Sequence, residues 1–380
     1  MGKVWITDCP LVPIPKDPLA PMDVALAFVL PDLAVGGVER LALDLAAAAA
    51  ARGLGVDLVT LTGGGELATQ VPPSVRLINL GAARLRQAIV PLRRYFAQTA
   101  PAAVVAAMWP VPIVALLAAA GLRRPPRILA AEHCPLRQHY AASPAQMLAL
   151  RATLPAYRLA DAVVAVSDGL ADDLAMLAHL PRRRIATIAN PVPPPARSAV
   201  PDPAVTMWQA GPGPRLLTVG RLKPEKNHAL LIDALALAGG TARLAIVGEG
   251  QQRPALEAQI VRLGLGDRVI LAGYSATPGD WYAAADLFVL GSDYEGFGNV
   301  LVEAMHHGLP VVSTACPFGP AEVLGHGAYG QLVPPGQPRA LADAIAAALA
   351  APRQPERQRA RAAQFGVERA LDAYLQAIAS

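Results

Sequence analysis

Short apolar runs alternate with longer helical patterns along this chain, and the alternation starts afresh once, after residue 214. VALAFVL (24–30), VDLVTL (56–61), AVVAAM (103–108), RILAAE (127–132) and AVVAVS (162–167) form the first series. RLLTVG (215–220), RLAIVG (243–248), RVILAG (268–273), ADLFVL (285–290) and PVVSTA (310–315) form the second. Strands interleaved with helices give βαβ units and a doubly wound α/β fold. Meeting the series twice in 380 residues predicts two Rossmann-like domains facing a cleft, the first over 1–190 and the second over 215–365. Between them, PVPPPARSAVPDPAVTMWQAGPGP (191–214) holds eight prolines and is expected to be an extended linker. A final helix over 366–380 follows a polar stretch and is placed to pack back onto the first domain. Ligands of such a fold bind at the carboxyl ends of the parallel strands.

Hydrophobic residues make up 53% of the chain and charged residues 16%, a globular balance that excludes disorder. Residues 102–122 carry no charge and are long enough to span a membrane. Pro110 and Pro112 interrupt them, so they read as a buried strand, a loop and a short helix. The N-terminus has no basic region followed by an unbroken apolar core, and no secretory signal is expected. Cys9, Cys134 and Cys316 are too far apart for a disulfide framework or a zinc site, which fits a reducing cytoplasm.

The net charge of +4 is unevenly placed. Residues 83–160 hold Arg84, Arg86, Arg93, Arg94, Arg123, Arg124, Arg127, Arg137, Arg151 and Arg158 against one acid, Glu132. Either an anionic partner contacts this part, or it is a solvated arginine-rich surface. No nucleic-acid partner is expected.

Five loops carry candidate chemistry. In TVGRLKPEKN (218–227), Arg221 and Lys226 follow a strand and open a helix, where two cations and a helix start make either a phosphate site or a surface loop with two solvated cations. In SDYEGFGNVLVEAMHHGLP (292–310), Gly296 and Gly298 allow a turn whose amides point at an anion, with Gly298 or Asn299 capping the next helix. Glu303 lies one residue too late for a capping box, so it serves either the helix dipole or a diol such as ribose. In GGVERLALDLA (36–46), Gly36 and Gly37 precede a helix without the full dinucleotide fingerprint, so a phosphate, a sugar or a structural turn all fit. In AEHCPL (131–136), His133 stands past a strand end, either structural or able to bond a sugar hydroxyl. Glu322, in CPFGPAEVL (316–324), either bonds a donor group or caps its own helix. No Ser–His–Asp set, nucleophilic cysteine or Asp-x-Asp pair stands out, and no metal or other cofactor is expected.

The order GRL-x-x-x-KN, VGEG (247–250) and the Glu-x7-Glu pair Glu295/Glu303, with GGVERLALDLA ahead of it, resembles the family-4 retaining glycosyltransferases of the GT-B fold. The resemblance covers most of the chain and is strongest in the second domain. It implies that Arg221 and Lys226 hold a donor diphosphate and that Glu303 binds the ribose hydroxyls. Glu295 would lie by the transferred sugar, with amides of Gly296, Phe297, Gly298 and Asn299 on sugar or phosphate. The region after Gly248 and around Gly273 and Tyr274 would face the base. His133 matches only loosely. The catalytic set so implied is Glu295, His133, Arg221 and Lys226; the donor set adds Gly36, Gly37, Gly248 and Tyr274. Many relatives have a double-glycine loop before Glu322, where this chain has Cys316-Pro317-Phe318-Gly319-Pro320. That variant resembles bacterial enzymes that use UDP-hexoses or N-acetylhexosamines to build surface polysaccharides on lipid carriers. A UDP-sugar donor, a lipid-linked or saccharide acceptor, and docking of the basic stretch on an anionic membrane follow as expectations. A sugar-nucleotide epimerase of similar shape and a non-catalytic sugar-nucleotide-binding subunit remain the alternatives.

Overall fold

The computed structural model describes residues 24–200 and 202–379; Cys9 and the N-terminal segment lie outside the described residues. Seven parallel strands form the first sheet: β1 (Val24–Leu30), β2 (Gly55–Thr60), β3 (Arg76–Asn79), β4 (Ala103–Ala107), β5 (Arg127–Glu132), β6 (Ala162–Ala165) and β7 (Ile185–Thr187). Six more form the second: β8 (Arg215–Val219), β9 (Arg243–Val247), β10 (Val269–Gly273), β11 (Leu287–Leu290), β12 (Val311–Thr314) and β13 (Gln331–Val333). The orders are β3-β2-β1-β4-β5-β6-β7 and β10-β9-β8-β11-β12-β13. In each sheet the order reverses at one point, between β1 and β4 and between β8 and β11, and a crevice opens there at the carboxyl ends.

Each sheet is covered on both faces, and single strands show it. Leu26, Phe28 and Leu30 of β1 belong to one apolar cluster, while Ala27 and Val29 belong to the cluster on the other face. Leu287 and Val289 of β11 likewise face away from Phe288 and Leu290. Side chains alternate across a strand, so two apolar faces require an unbroken apolar run. The uncharged segment 102–122 takes its place in this core as β4 and the helix Val111–Ala119. Among the described residues no helix is long and apolar enough to cross a membrane.

The stretch 191–214 is not extended throughout. Pro203–Ala210 is a helix, with Pro203 in its first turn and the Asp202 side chain accepting from the Ala204 amide. Proline is tolerated at that position because the first-turn amide has no intrahelical partner. Val205 and Trp208 are buried, and Trp208 meets Trp281 of the second domain at 5.5 Å between ring centres. The chain's last helix, Val367–Ala379, buries Ala370, Leu371 and Tyr374 in the same cluster as Leu41 and Leu45 of the first domain. Arg52 of the first domain pairs with its Glu368 and Asp372.

The two domains are packed together, not merely tethered. One apolar cluster runs from Val163, Leu170 and Leu174 through Phe297, Leu301 and Phe365 to Phe288.

Candidate active site

The crevices of the two sheets face each other, and short loops at the strand ends carry most of the polar groups between them. After β8, Arg221 reaches across and its guanidinium donates to the Val35 carbonyl at 3.0 Å, one residue before the glycine pair. Gly36 is the N-cap of the helix Gly37–Ala51, and the Glu39 side chain folds back onto it. A Cβ on Gly36 would lie 2.1 Å from Glu39 Oε2 and 3.0 Å from the Arg221 guanidinium, so a side chain there would push aside the ends of the loop's own glutamate and of the opposite domain's arginine. Burial raises the Glu39 carboxyl above its usual range; its own amide and, more weakly, Arg221 pull the other way.

Lys226 ends the turn Pro224–Lys226, and Asn227 then caps the helix His228–Ala238 by accepting from the Leu230 amide. Lys226 Nζ sits 2.6 Å from Glu295 Oε1, and Ser292 Oγ donates to the same oxygen at 2.8 Å. Glu295 is itself fixed by its backbone: its amide donates to the Pro317 carbonyl and its carbonyl accepts from the Phe318 amide. The two glutamates are therefore used differently. Glu303, on the helix Asn299–His306, accepts from the Tyr282 hydroxyl at 2.8 Å, and burial raises its carboxyl while that bond opposes the shift.

Gly298 is the N-cap of that helix, at φ 94°, without a side-chain cap. Asn299 does not cap. Its Oδ1 accepts from Asn190 Nδ2 at 2.9 Å, and Asn190 Oδ1 lies 3.2 Å from Nδ1 of His133. His133 is buried, and burial pushes its ring down to about 4, against the Asn190 bond. Gly296 lies against the His133 carbonyl, and Ser167 of the first domain donates to the Gly296 carbonyl at 2.9 Å.

These contacts bring Gly36, Gly37, His133, Arg221, Lys226, Glu295, Gly296 and Asn299 into one interdomain array. Five expected residues lie outside these bonds: Gly298 and Glu303 at the start of and within the adjoining helix, and Phe297, Tyr274 and Gly248. The Phe297 side chain is packed on Phe365 at 5.4 Å in the apolar cluster, which leaves only its backbone to offer. Tyr274 is exposed just past β10, and Gly248 bridges to Gly273 through its amide. Glu322 neither caps its own helix nor stays free for a donor group. Its carboxylate accepts from the amides of Asp168 and Gly169, at 2.7 and 2.9 Å, and so caps the first-domain helix Asp168–Ala178. Asn190, Glu39, Ser167 and Ser292 carried no sequence signal of their own. Among the described residues no cluster of three or more His, Cys, Asp or Glu is arranged for a metal.

The comparisons with known proteins divide the chain as the sheets do. Residues 35–194 match the model for Glycosyltransferase Family 4, and residues 213–351 match that for Glycosyl transferases group 1. A Campylobacter jejuni protein, N-acetylgalactosamine-N,N'-diacetylbacillosaminyl-diphospho-undecaprenol 4-alpha-N-acetylgalactosaminyltransferase, is 40% identical over 118 residues, 31% of this chain and 32% of its own length. The lipopolysaccharide 1,6-galactosyltransferase of Salmonella typhimurium is 32% identical over 192 residues, 47% of this chain and 49% of its own. The chain thus spans half or less of these relatives' lengths. Among solved structures, Anabaena HepE in complex with UDP and glucose superimposes with a TM-score of 0.76 at 23% identity, covering 93% of this chain and 99% of that one. At that identity the likeness shows the fold alone: GT-B. With both domains matched, this chain belongs to the family-4 glycosyltransferases.

Proposed function

We propose that this protein is a retaining glycosyltransferase that moves a hexose or N-acetylhexosamine from a UDP-sugar to a lipid-linked or saccharide acceptor, without a metal ion. The observation that carries this reading is the meeting of Arg221 with the glycine loop and of Lys226 with Glu295 where the two crevices face each other. Arg221 and Lys226 neutralise the departing diphosphate. Glu303 accepts from the two ribose hydroxyls, and the Gly296–Asn299 amides hold the sugar and its phosphate. Gly248 and Tyr274 border the base. His133 bonds a sugar hydroxyl, and the leaving phosphate takes the acceptor's proton on the face it leaves. The Campylobacter relative's name contains a diphospho-undecaprenol acceptor, and the HepE complex holds UDP and glucose, both in keeping with this substrate class.

The same reading gives the basic stretch a contact with an anionic membrane on its cytoplasmic face. Arg137 and Arg127 are paired with Asp173 and Asp161. Arg93 donates to the carbonyls of Ala118 and Ala120. Arg94, Arg123 and Arg124 are exposed, as are the apolar Leu117, Leu148 and Leu159. Exposed cations and exposed apolar side chains on one stretch of chain suit an anionic lipid surface.

Turnover of UDP-sugars with an added lipid-linked or saccharide acceptor tests the reading. Transfer with retention supports it; isomerisation without acceptor or tight binding without product replaces it. Lys226→Ala and Glu303→Ala should each lower kcat/KM at least tenfold, about 1.4 kcal/mol. Unchanged kinetics in folded variants would remove these site assignments. Reversing Arg94, Arg123 and Arg124 should weaken binding to anionic vesicles and leave UDP binding intact.

A further inference from the structure

Asn190 is buried in the segment where the chain leaves the first domain, and that segment is held from both sides. The Ile188 amide bonds the Ala165 carbonyl of the first sheet. Two residues beyond Asn190, the Val192 amide donates to the Phe365 carbonyl, and the Val192 carbonyl lies 2.8 Å from His306 Nε2 of the second domain. The amide of Asn190 thus has a fixed seat between the domains. It uses both ends there, with Oδ1 on His133 Nδ1 and Nδ2 on Asn299 Oδ1.

An amide oxygen has no proton to give, so its bond to Nδ1 requires that nitrogen to carry the hydrogen. Nε2 of a neutral ring is then a lone-pair acceptor. We propose that Asn190 is a positioning residue for His133, holding the ring as its Nδ1–H form with Nε2 ready to accept a hydrogen bond from a hydroxyl of the bound sugar. The hold depends on the closed cleft, because the other end of the amide is satisfied by Asn299 at the start of the donor-loop helix. Were the domains apart, Asn190 would lose the contact that orients its amide, and His133 would be free to exchange tautomers. Burial keeps the ring neutral, which makes the tautomer the variable that matters. This rests on the reading of His133 as a sugar ligand.

The test uses the full chain labelled with [15N]histidine, with His133→Gln to assign the His133 signals. In the wild type, Nδ1 should show the protonated and Nε2 the unprotonated type of nitrogen. Asn190→Ala should mix the two forms and lower kcat at least tenfold, with KM for the UDP-sugar changed less than threefold. Asn190→Asp keeps an acceptor for Nδ1 but gives up the donor to Asn299 Oδ1, so it should keep Nδ1 protonated and lose less kcat than Asn190→Ala without regaining the wild-type value. A wild-type ring protonated at Nε2 would overturn the proposal, even where a variant fails to fold. So would an Asn190→Ala protein that loses activity with the tautomer intact. A wild type with the expected tautomer and no transfer from any UDP-sugar would instead remove the donor reading and still support the hold of Asn190 on His133.

Discussion

Placing a single methyl group at Gly296 tests whether the closed cleft is the working state. The position is not one whose backbone conformation demands glycine, since its φ lies outside the left-handed region. What excludes a side chain is the other domain. A Cβ there would fall 2.0 Å from the His133 carbonyl oxygen, 2.8 Å from its carbon and 3.3 Å from Cys134 Cα. Ordinary contact is about 3.5 Å, so the facing backbones must separate by roughly 1.5 Å. Displacing reacting groups by about 1 Å costs on the order of 100-fold in rate, near 2.7 kcal/mol. Gly296→Ala keeps its amide, so a donor contact made by that N–H survives, and each domain keeps its own core. The expected result is a loss of about 100-fold in kcat/KM, with an unchanged circular dichroism spectrum and a larger radius of gyration by X-ray scattering. Rates within threefold of wild type at an unchanged radius would refute the argument.

Glu322→Ala removes two charge-assisted bonds to a helix start across the cleft; the carboxylate is half-exposed, so its worth is about 1–2 kcal/mol. The closed population should fall roughly 5–30-fold relative to open, read as lower kcat/KM and a larger radius of gyration; wild-type values for both would dismiss the latch. Glu132 is fully buried, accepting from the Tyr157 hydroxyl and the Trp109 amide, and burial raises it to about 7. Its folded form holds a proton that the unfolded chain has released, so stability should fall as pH rises from the ordinary carboxyl value of 4.5 towards 7, by about 3 kcal/mol in all. Urea unfolding at pH 5 and 7.5 should show this loss as the difference between the slopes of wild type and Glu132→Gln, since the other buried groups titrate alike in both; equal slopes would reject it. Leu371→Ala should cost about 2–5 kcal/mol by emptying a site that is 0% exposed, lowering Tm by at least roughly 5 °C. A shift within 1 °C would show that the last helix is not part of the first domain's core.

The strongly apolar strands were legible because burial on both faces leaves one kind of pattern. The short edge strands β3, β7 and β13 were not. Arg76–Asn79 is mostly exposed, and Ile185–Thr187 has a single buried residue, so neither shows a period. The helix Pro203–Ala210 was hidden by its own proline, which marks a helix start as readily as a break. In the site, the loops after β8 and β11 could be read because each carries its charges beside its own strand end. Asn190 and Glu322 act on residues 57 and 153–154 positions away, and local spacing says nothing about such partners. Phe297 shows a second kind of silence: it lies within the loop singled out for its amides, and nothing local announced that its side chain belongs to the core.

The charges of the cleft are arranged so that the carboxylates aim the cations and leave donors spare. Lys226 has three hydrogens, of which Glu295 takes one, and Ser292 and the backbone bonds to Pro317 and Phe318 hold Glu295 still. On the proposed reading, two donors of Lys226 remain for a phosphate oxygen. Replacing Glu295 by glutamine would keep an acceptor for one of these hydrogens and remove the opposing charge, whereas alanine would release the long lysine side chain to its rotamers. A role confined to aiming Lys226 therefore predicts a milder defect for Gln than for Ala. A direct role for the Glu295 charge beside the transferred sugar predicts that both fail alike. Arg221 follows the same logic: the amino group that bonds Val35 is also the one nearest Gly36, and the Glu39 carboxylate is close enough to feel its charge. Glu39 occupies the start of its helix, where backbone amides favour an anion. A diphosphate entering there must displace or share that seat, so the affinity of the site is set by what the phosphate gains over a carboxylate already in place.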